Sequence, residues 1–267
     1  MTHLTSRGWG LKALLAALLF VLPGLAAAQE VLEFRNDLAF SASEVNALAA
    51  RSFGARLRTL ARAGKLDPDP ALKLRLRRIM PRLIRAAVYE RPAAARLEWE
   101  VHSCVRCDEN ASAMAGGKLL LSVDFVQHLA LDDDELAYLL AHEMAHVLAQ
   151  HTREFASAAR YFVDNGLKRD YADIDQELSQ NFAVMIRMRP VYIQQELEAD
   201  YIGFILGAQA GFRPEAMLGL LRKLGNGGDA VIVTHPTEAR RLRQARTMLE
   251  TARRLYAAAR AGGPGLK

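Results

Sequence analysis

The chain has 267 residues, a formal net charge of +5 and a composition that is 51% hydrophobic. This apolar content is sufficient for a packed core, so it excludes disorder as the default state. The basic residues lie along helical segments such as "LKLRLRRIMPRLIR" and "EARRLRQARTMLE". We interpret these segments as solvated helix faces and expect no nucleic-acid partner.

Residues 1–28 have the three-part layout of a secretory signal peptide. Arg7 and Lys12 precede an apolar run at 13–22, and small residues at 26–28 offer a cleavage site. The run is short for a membrane span, which needs roughly 20 residues. Cleavage would remove two positive charges and lower the net charge from +5 to +3. We expect export to the periplasm without a stable transmembrane span, with an uncleaved anchor as the alternative.

Two amphipathic helices are predicted next, at 43–62 and 71–90, separated by the turn "DPDP". Ser43 is the expected N-cap of the first helix, because serine side chains accept hydrogen bonds from exposed backbone N–H groups. Pro81 is expected to interrupt or kink the second helix, because proline lacks an N–H group and clashes with the preceding turn.

Short strands are predicted at 97–102, where "LEWEVH" alternates apolar and charged residues, and within 115–122. The second segment, "AGGKLLLS", begins with a turn at Gly116 and Gly117. Between the strands lie Cys104 and Cys107. In an oxidising compartment such a pair most often closes as a local disulfide, with free thiols as the alternative.

The remainder of the chain is predicted to be almost entirely helical, so the fold class is α+β and mostly helical. Pro190 must break or bend the helix predicted at 172–210. The segment "GNGGDAVIVTHPTEA" is a linker between the helices predicted at 214–225 and 237–261. The predicted helices cover 124–131, 133–155, 172–210, 214–225 and 237–261.

A motif with chemical meaning lies in "LAYLLAHEMAHVLAQH", which places His142, Glu143 and His146 on one helix. Residues four apart share a helix face, so the two imidazoles point the same way. Such HExxH helices bind zinc through both histidines, and the glutamate takes a proton from water at the metal. An exposed helix with chance histidines is the alternative. The apolar neighbours argue against it, since buried polar groups need a shared partner.

A third ligand is offered by "QQELEADYIGFILGAQAG", in which Glu196 and Asp200 share one helix face and Glu198 points elsewhere. A catalytic zinc site needs three protein ligands and an open position. Asp200 can hydrogen-bond the free ring nitrogen of a ligand histidine. An acidic surface stripe is the alternative. His151 is expected to point away from the ligand face, as a helix-end or hydrogen-bonding histidine.

Four segments in order, "NASAMAGGKLLLS", "HEMAHVLAQH", "ELEADYIG" and "THPTEARRL", resemble a known family. It comprises the HtpX-like and BepA-like zinc metallopeptidases, family forty-eight of the metallopeptidases, with CAAX prenyl proteases and mitochondrial Oma-type proteases. The resemblance implies a gluzincin fold with a small sheet whose edge strand lies beside the active-site helix. It also implies one zinc ion on His142, His146 and Glu196, with Glu143 as base and Asp200 supporting a ligand.

The resemblance further implies that "AGGKLLLS" is the active-site edge strand, onto which an extended peptide adds as another strand. The implied substrate-binding residues are Gly116, Gly117, Lys118, Leu119 and Leu120.

His235, in "THP", matches a family segment whose histidine approaches the metal. It is expected either to stabilise the oxyanion of the reaction or to occupy the fourth zinc position in a latent resting form. A plain turn residue is the remaining alternative.

The resulting expectation is a periplasmic zinc endopeptidase that acts on extended or misfolded polypeptides in envelope quality control. Outer-membrane assembly machinery is one option for a partner. The expected organisation is a signal peptide (1–28), a helical segment packing on the catalytic domain (29–95), the metallopeptidase domain (96–261) and a flexible tail (262–267). The alternative is a chaperone-like peptide-binding protein whose zinc site is closed by His235.

Overall fold

Helices and a small three-stranded sheet make up the computed structural model, which describes residues 38–225 and 237–262. The proposed signal peptide and His235 therefore lie outside the described residues. Short 3-10 helices at Pro92–Arg96 and Gly166–Lys168 connect longer elements. Those elements are α1 (Ala42–Arg62), α2 (Pro70–Glu90), β1 (Glu100–Cys104), β2 (Ala111–Met114), β3 (Lys118–Ser122), α3 (Val123–His128), α4 (Asp133–Leu148), α5 (His151–Ala159), α6 (Tyr171–Gln180), α7 (Phe182–Arg187), α8 (Arg189–Gln209), α9 (Glu215–Gly225) and α10 (Glu238–Arg260).

The N-cap of α1 is Ser41, not Ser43 as predicted. The Ser41 side chain accepts a hydrogen bond from the backbone N–H of Glu44 at 3.1 Å. Ser41 has the extended backbone that an N-cap requires, whereas Ser43 already lies within the helix. In α2, Asp69 caps the first turn in the same way.

Pro81 does not end α2, which continues to Glu90. Proline removes one backbone hydrogen bond from the helix interior. On either side of it, Ile79 and Leu83 are buried in the main hydrophobic core. Their packing holds the two halves of α2 as one element.

The sheet order is β1–β3–β2, with β1 parallel and β2 antiparallel to β3. The prediction that β3 is the edge strand is therefore wrong. All five residues of β3, three leucines between Lys118 and Ser122, are buried, as expected for a strand paired on both sides. The edge strand that packs beside α4 is β2, whose residues are only half-buried. The tight turn before β3 uses Gly116 and Gly117, both with positive φ.

Two predicted helices are divided in the structure. The segment predicted at 133–155 forms α4 and α5, with Gln150 between them in the left-handed conformation at φ 59°. The segment predicted at 172–210 forms α6, α7 and α8. Pro190 lies in the first turn of α8, where a missing N–H costs nothing, so the predicted break is confirmed.

The main core brings α4 and α8 into close contact. A Cβ atom on Gly203 would lie 2.9 Å from the backbone nitrogen of His142, and one on Gly207 would collide with the Tyr138 ring. These two glycines therefore allow the α8 backbone to approach α4. Helix α2 belongs to the same core, so the packing crosses the domain boundary placed at residue 95.

No helix among the described residues is long and apolar enough to cross a membrane.

Candidate metal centre and active site

Helix α4 positions the HExxH residues on a rigid, buried element. Its first turn is fixed by a capping box, in which Asp132 accepts from the N–H of Glu135 and Glu135 accepts from the N–H of Asp132. Further along α4, His142 is buried, while Glu143 and His146 are half-buried. The three side chains are thus held by a helix whose position the core determines.

The structure brings His142, His146 and Glu196 together as predicted, with one donor atom of each within 4.8 Å of the others. The two histidine Nε2 atoms are 3.2 Å apart. The Glu196 carboxylate oxygens lie 3.6 Å from Nε2 of His142 and 3.3 Å from Nε2 of His146. Two imidazoles and one buried carboxylate are a donor set that fits zinc and leaves a position open.

Asp200 supports the first of these ligands, as predicted. One of its carboxylate oxygens lies 3.1 Å from Nδ1 of His142, which leaves Nε2 directed at Glu196. Burial alone would lower the pKa of His142, but the hydrogen bond to Asp200 and the charge of Glu196 raise it. This contact fixes the tautomer in which Nε2 is the metal-binding atom.

Arg241 holds Asp200 in turn, a role that the sequence reading missed. Its Nε donates to Oδ2 of Asp200 at 2.7 Å and its Nη2 donates to Oδ1 at 2.6 Å. Burial alone would raise the pKa of Asp200, but the bonds from Arg241 and His142 keep it below its usual value. The signal was available in "THPTEARRL", but only the tertiary structure pairs α10 with α8.

His151 lies beside the second histidine ligand, not away from the ligands as predicted. Its Nδ1 is 2.9 Å from Nδ1 of His146, and its ring is buried. The prediction assumed one continuous helix, whereas the left-handed Gln150 turns the chain and returns His151 towards His146. Burial lowers the pKa of His151. The Glu198 carboxylate is 3.6 Å from its Nε2, so Glu198 contacts the centre only indirectly.

Two further groups face the same centre. Tyr192 lies one helical turn before Glu196, and its phenol pKa is raised by burial and by the charges of Glu196 and Glu143. Burial alone would lower the pKa of Arg241, but its hydrogen bond to Asp200 and the charges of Asp200, Glu196 and Glu143 raise it. Glu143 adjoins His142 on α4 and is half-buried there, beside the candidate metal ligands. Its carboxylate can act there as a base, as the motif predicts.

Most of the residues predicted to bind substrate along β3 are covered. Lys118 is buried and donates to the backbone oxygen of Glu98, while Leu119 and Leu120 lie in hydrophobic clusters. Because β1 and β2 pair with the two sides of β3, its backbone offers no free edge to an added peptide, which corrects the prediction. Gly116 differs, because it lines an open cavity described below.

Cys104 and Cys107 form a disulfide, as predicted. The bond lies at the end of β1, and these cysteines are not among the residues of the metal centre. We therefore interpret the disulfide as structural and not as part of the metal centre.

A cavity of about 200 Å³ is lined in part by Val147, the residue that follows His146 in the chain. It lies where β2 ends and where α4 approaches α1. Small and apolar side chains form most of its wall, with Arg91 and Arg153 among the lining residues. The apolar lining residues are Ala42, Val45, Ala93, Ala94, Leu97, Ala115, Gly116, Val147 and Leu148.

Comparison with known proteins gives the family. Residues 70–249, which include the three candidate ligands, match the family described as Peptidase family M48. The chain is 30% identical over 210 residues to the mitochondrial metalloendopeptidase OMA1 of Saccharomyces cerevisiae, covering 72% of this chain and 60% of that protein. For OMA1 of Arabidopsis thaliana the identity is 31% over 178 residues, covering 64% and 36%.

OMA1 of Schizosaccharomyces pombe is 33% identical over 160 residues, covering 55% of this chain and 46% of that protein. The chain thus spans between 36% and 60% of the length of these three relatives. The family match covers more than half of the chain and contains the whole HExxH helix. The chain belongs to peptidase family M48.

Proposed function

We propose that the protein is a zinc-dependent endopeptidase that hydrolyses extended or misfolded polypeptides. The observation that carries this proposal is the convergence of His142, His146 and Glu196, with Glu143 next to His142 on the same helix. A structural zinc site would need no carboxylate one step from the ligand face. The names of the three relatives, metalloendopeptidases, agree with this function.

The side chains around the site have separate roles in peptide hydrolysis. His142, His146 and Glu196 would hold the zinc ion, which would supply Lewis acidity for the activation of water near neutral pH. Glu143 accepts the proton of the attacking water and delivers it to the departing amine. Asp200, clamped by Arg241, keeps the His142 ring in the orientation that binding requires.

Strand β2 offers a place for the substrate. Among the described residues no strand pairs with its outer edge, and β2 packs beside α4. A peptide that adds to this edge is recognised through its backbone, so many sequences are accepted. The cavity at the end of β2 is mostly apolar and suits one hydrophobic side chain. Both features favour extended chains, which misfolded proteins expose.

We place this activity in the periplasm, in envelope quality control. The signal-peptide pattern of residues 1–28 supports this location, and so does the disulfide between Cys104 and Cys107, because disulfides persist in oxidising compartments. A partnership with outer-membrane assembly machinery remains a prediction. The three relatives compared above are named as mitochondrial proteins.

Replacing Glu143 by glutamine tests the mechanism. Glu143→Gln should retain the fold and one zinc ion per chain but lose cleavage of unfolded casein, because it removes only the proton acceptor. Glu250→Gln, at a carboxylate that is 81% exposed on α10, is the matched control and should cleave like the wild type. Zinc is measured by elemental analysis and cleavage by release of peptides.

Two results would contradict the proposal. One is casein cleavage by Glu143→Gln at the wild-type rate. The other is a zinc-replete wild-type protein that binds casein without cutting it, which would favour the chaperone-like alternative.

A further inference from the structure

We propose that His151 is a positioning residue for the metal ligand His146. It accepts a hydrogen bond from Nδ1 of His146 and so directs Nε2 of that ring towards the metal. The inference rests on the metal site of the proposed function and adds a residue to which the sequence reading gave no role at the centre.

Both ligand rings have the same orientation, with Nε2 directed at the candidate metal position. The Nε2 atoms of His142 and His146 face each other at 3.2 Å, and both face the Glu196 carboxylate. Each Nδ1 therefore points away from the metal. A histidine that binds metal through Nε2 carries its proton on Nδ1 and donates it to a neighbouring acceptor. Each ligand ring thus needs an acceptor on its outer side.

The acceptors are different for the two rings. For His142 the acceptor is the Asp200 carboxylate, at 3.1 Å. For His146 the group at hydrogen-bonding distance is Nδ1 of His151, at 2.9 Å. The two rings meet edge to face, with centroids 4.9 Å apart and an interplanar angle of 76°. When Nδ1 of His151 accepts, its own proton is on Nε2, which faces Glu198 at 3.6 Å.

The position of His151 is fixed by contacts with α8. Its backbone oxygen accepts a hydrogen bond from the Gln195 side chain at 3.1 Å. The same amide donates to Glu154 at 2.6 Å. Gln195 immediately precedes Glu196 in the chain, so the residue that supports one ligand is tied to the helix that carries another. The His151 ring is 3% exposed and has little room to turn away.

The test compares side chains that place an acceptor at different points. In His151→Asn the side-chain oxygen lies near the position of Nδ1, whereas in His151→Gln it reaches towards the position of Nε2. Zinc affinity is measured by competition with a chromophoric chelator, and the Co²⁺ absorption spectrum reports ligand geometry. Thermal unfolding of the metal-free proteins reports the fold. His128→Gln, at an exposed histidine on α3, is the control.

The variants should differ in how much zinc affinity they lose. His151→Gln should lose zinc affinity by about tenfold to a hundredfold, the usual cost of removing a hydrogen-bond partner of a ligand histidine, and should shift the Co²⁺ bands. His151→Asn should keep most of the affinity, and the control all of it. Should His151→Gln unfold, His151→Phe replaces it, because phenylalanine keeps the ring volume without an acceptor.

Wild-type affinity in a folded His151→Gln, or in the His151→Phe that replaces it, would overturn the proposal. So would an equal loss in His151→Asn and in that variant. A wild-type protein that binds zinc without cleaving casein would overturn only the proposed endopeptidase activity, and one that binds no zinc would overturn both.

Discussion

At the scale of single residues, the centre is a set of buried charges that compensate one another. Asp200 and Glu196 are 3% and 2% exposed, and a buried carboxylate is costly unless it is paired. Arg241 compensates Asp200 through two hydrogen bonds, which is the strong geometry for an arginine and a carboxylate. Glu196 faces the two histidines, and a bound cation would complete its compensation. The site is therefore built around charge pairs that local sequence spacing does not reveal.

This pairing predicts the effect of removing Arg241. Arg241→Met should destabilise the metal-free protein by about 3–5 kcal/mol, because it leaves the Asp200 carboxylate buried without its partner. Arg240→Met, at the exposed neighbouring position, should change stability little. Urea unfolding measures both. The double variant Asp200→Asn with Arg241→Met should recover part of the loss, since the unpaired charge is gone. Equal stability of the two single variants would contradict the pairing.

At the scale of elements, the geometry of the centre depends on how closely α8 approaches α4. The histidine ligands are on α4, whereas Glu196 and Asp200 are on α8. Gly203 lies against the backbone of His142 itself, so a side chain there would separate the two helices at the metal ligands. The helix contact therefore serves both the core and the ligand distances.

Adding one methyl group at this contact tests its importance. Gly203→Ala should cost about 1–3 kcal/mol by overpacking and should also weaken zinc retention, because it moves Glu196 away from the histidines. Gly54→Ala is the matched control. Its Cβ would meet only the end of the Arg58 side chain at 3.4 Å, so it should stabilise α1 by roughly 0.5–1 kcal/mol. Urea unfolding and zinc retention in a chelator are the measurements. Unchanged zinc retention in Gly203→Ala would contradict the coupling.

At the scale of the whole molecule, features set by local spacing were predictable and features set by the path of the chain were not. The shared helix face of His142 and His146 follows from their spacing, and so does that of Glu196 and Asp200. The place of β3 in the middle of the sheet depends on pairing with β1, which no local pattern encodes. The contact of His151 with His146 follows from a single left-handed residue, Gln150.

Helix α1 lies before the residues that match the family model, 70–249, and yet it packs into the fold. Its Phe53 is 2% exposed and belongs to a cluster with Cys104 and Leu120. Leu120 lies in the central strand, so α1 covers the sheet directly. The helix also contributes Val45 to the wall of the cavity at the end of β2. These contacts pack α1 against the sheet as part of one fold.

Truncating Phe53 measures how strongly α1 is integrated. Phe53→Ala should destabilise the protein by about 3–5 kcal/mol, the usual cost of removing a buried ring and leaving a cavity. Phe182→Ala, on α7, makes the same chemical change at a ring that is 56% exposed, and it should shift stability by no more than about 0.5 kcal/mol. Urea unfolding followed by both fluorescence and circular dichroism gives the two values. If α1 were a detachable appendage, Phe53→Ala would leave the main transition in place and add an early, separate one. A single cooperative transition shifted to lower urea is expected, because the ring packs on the central strand of the sheet.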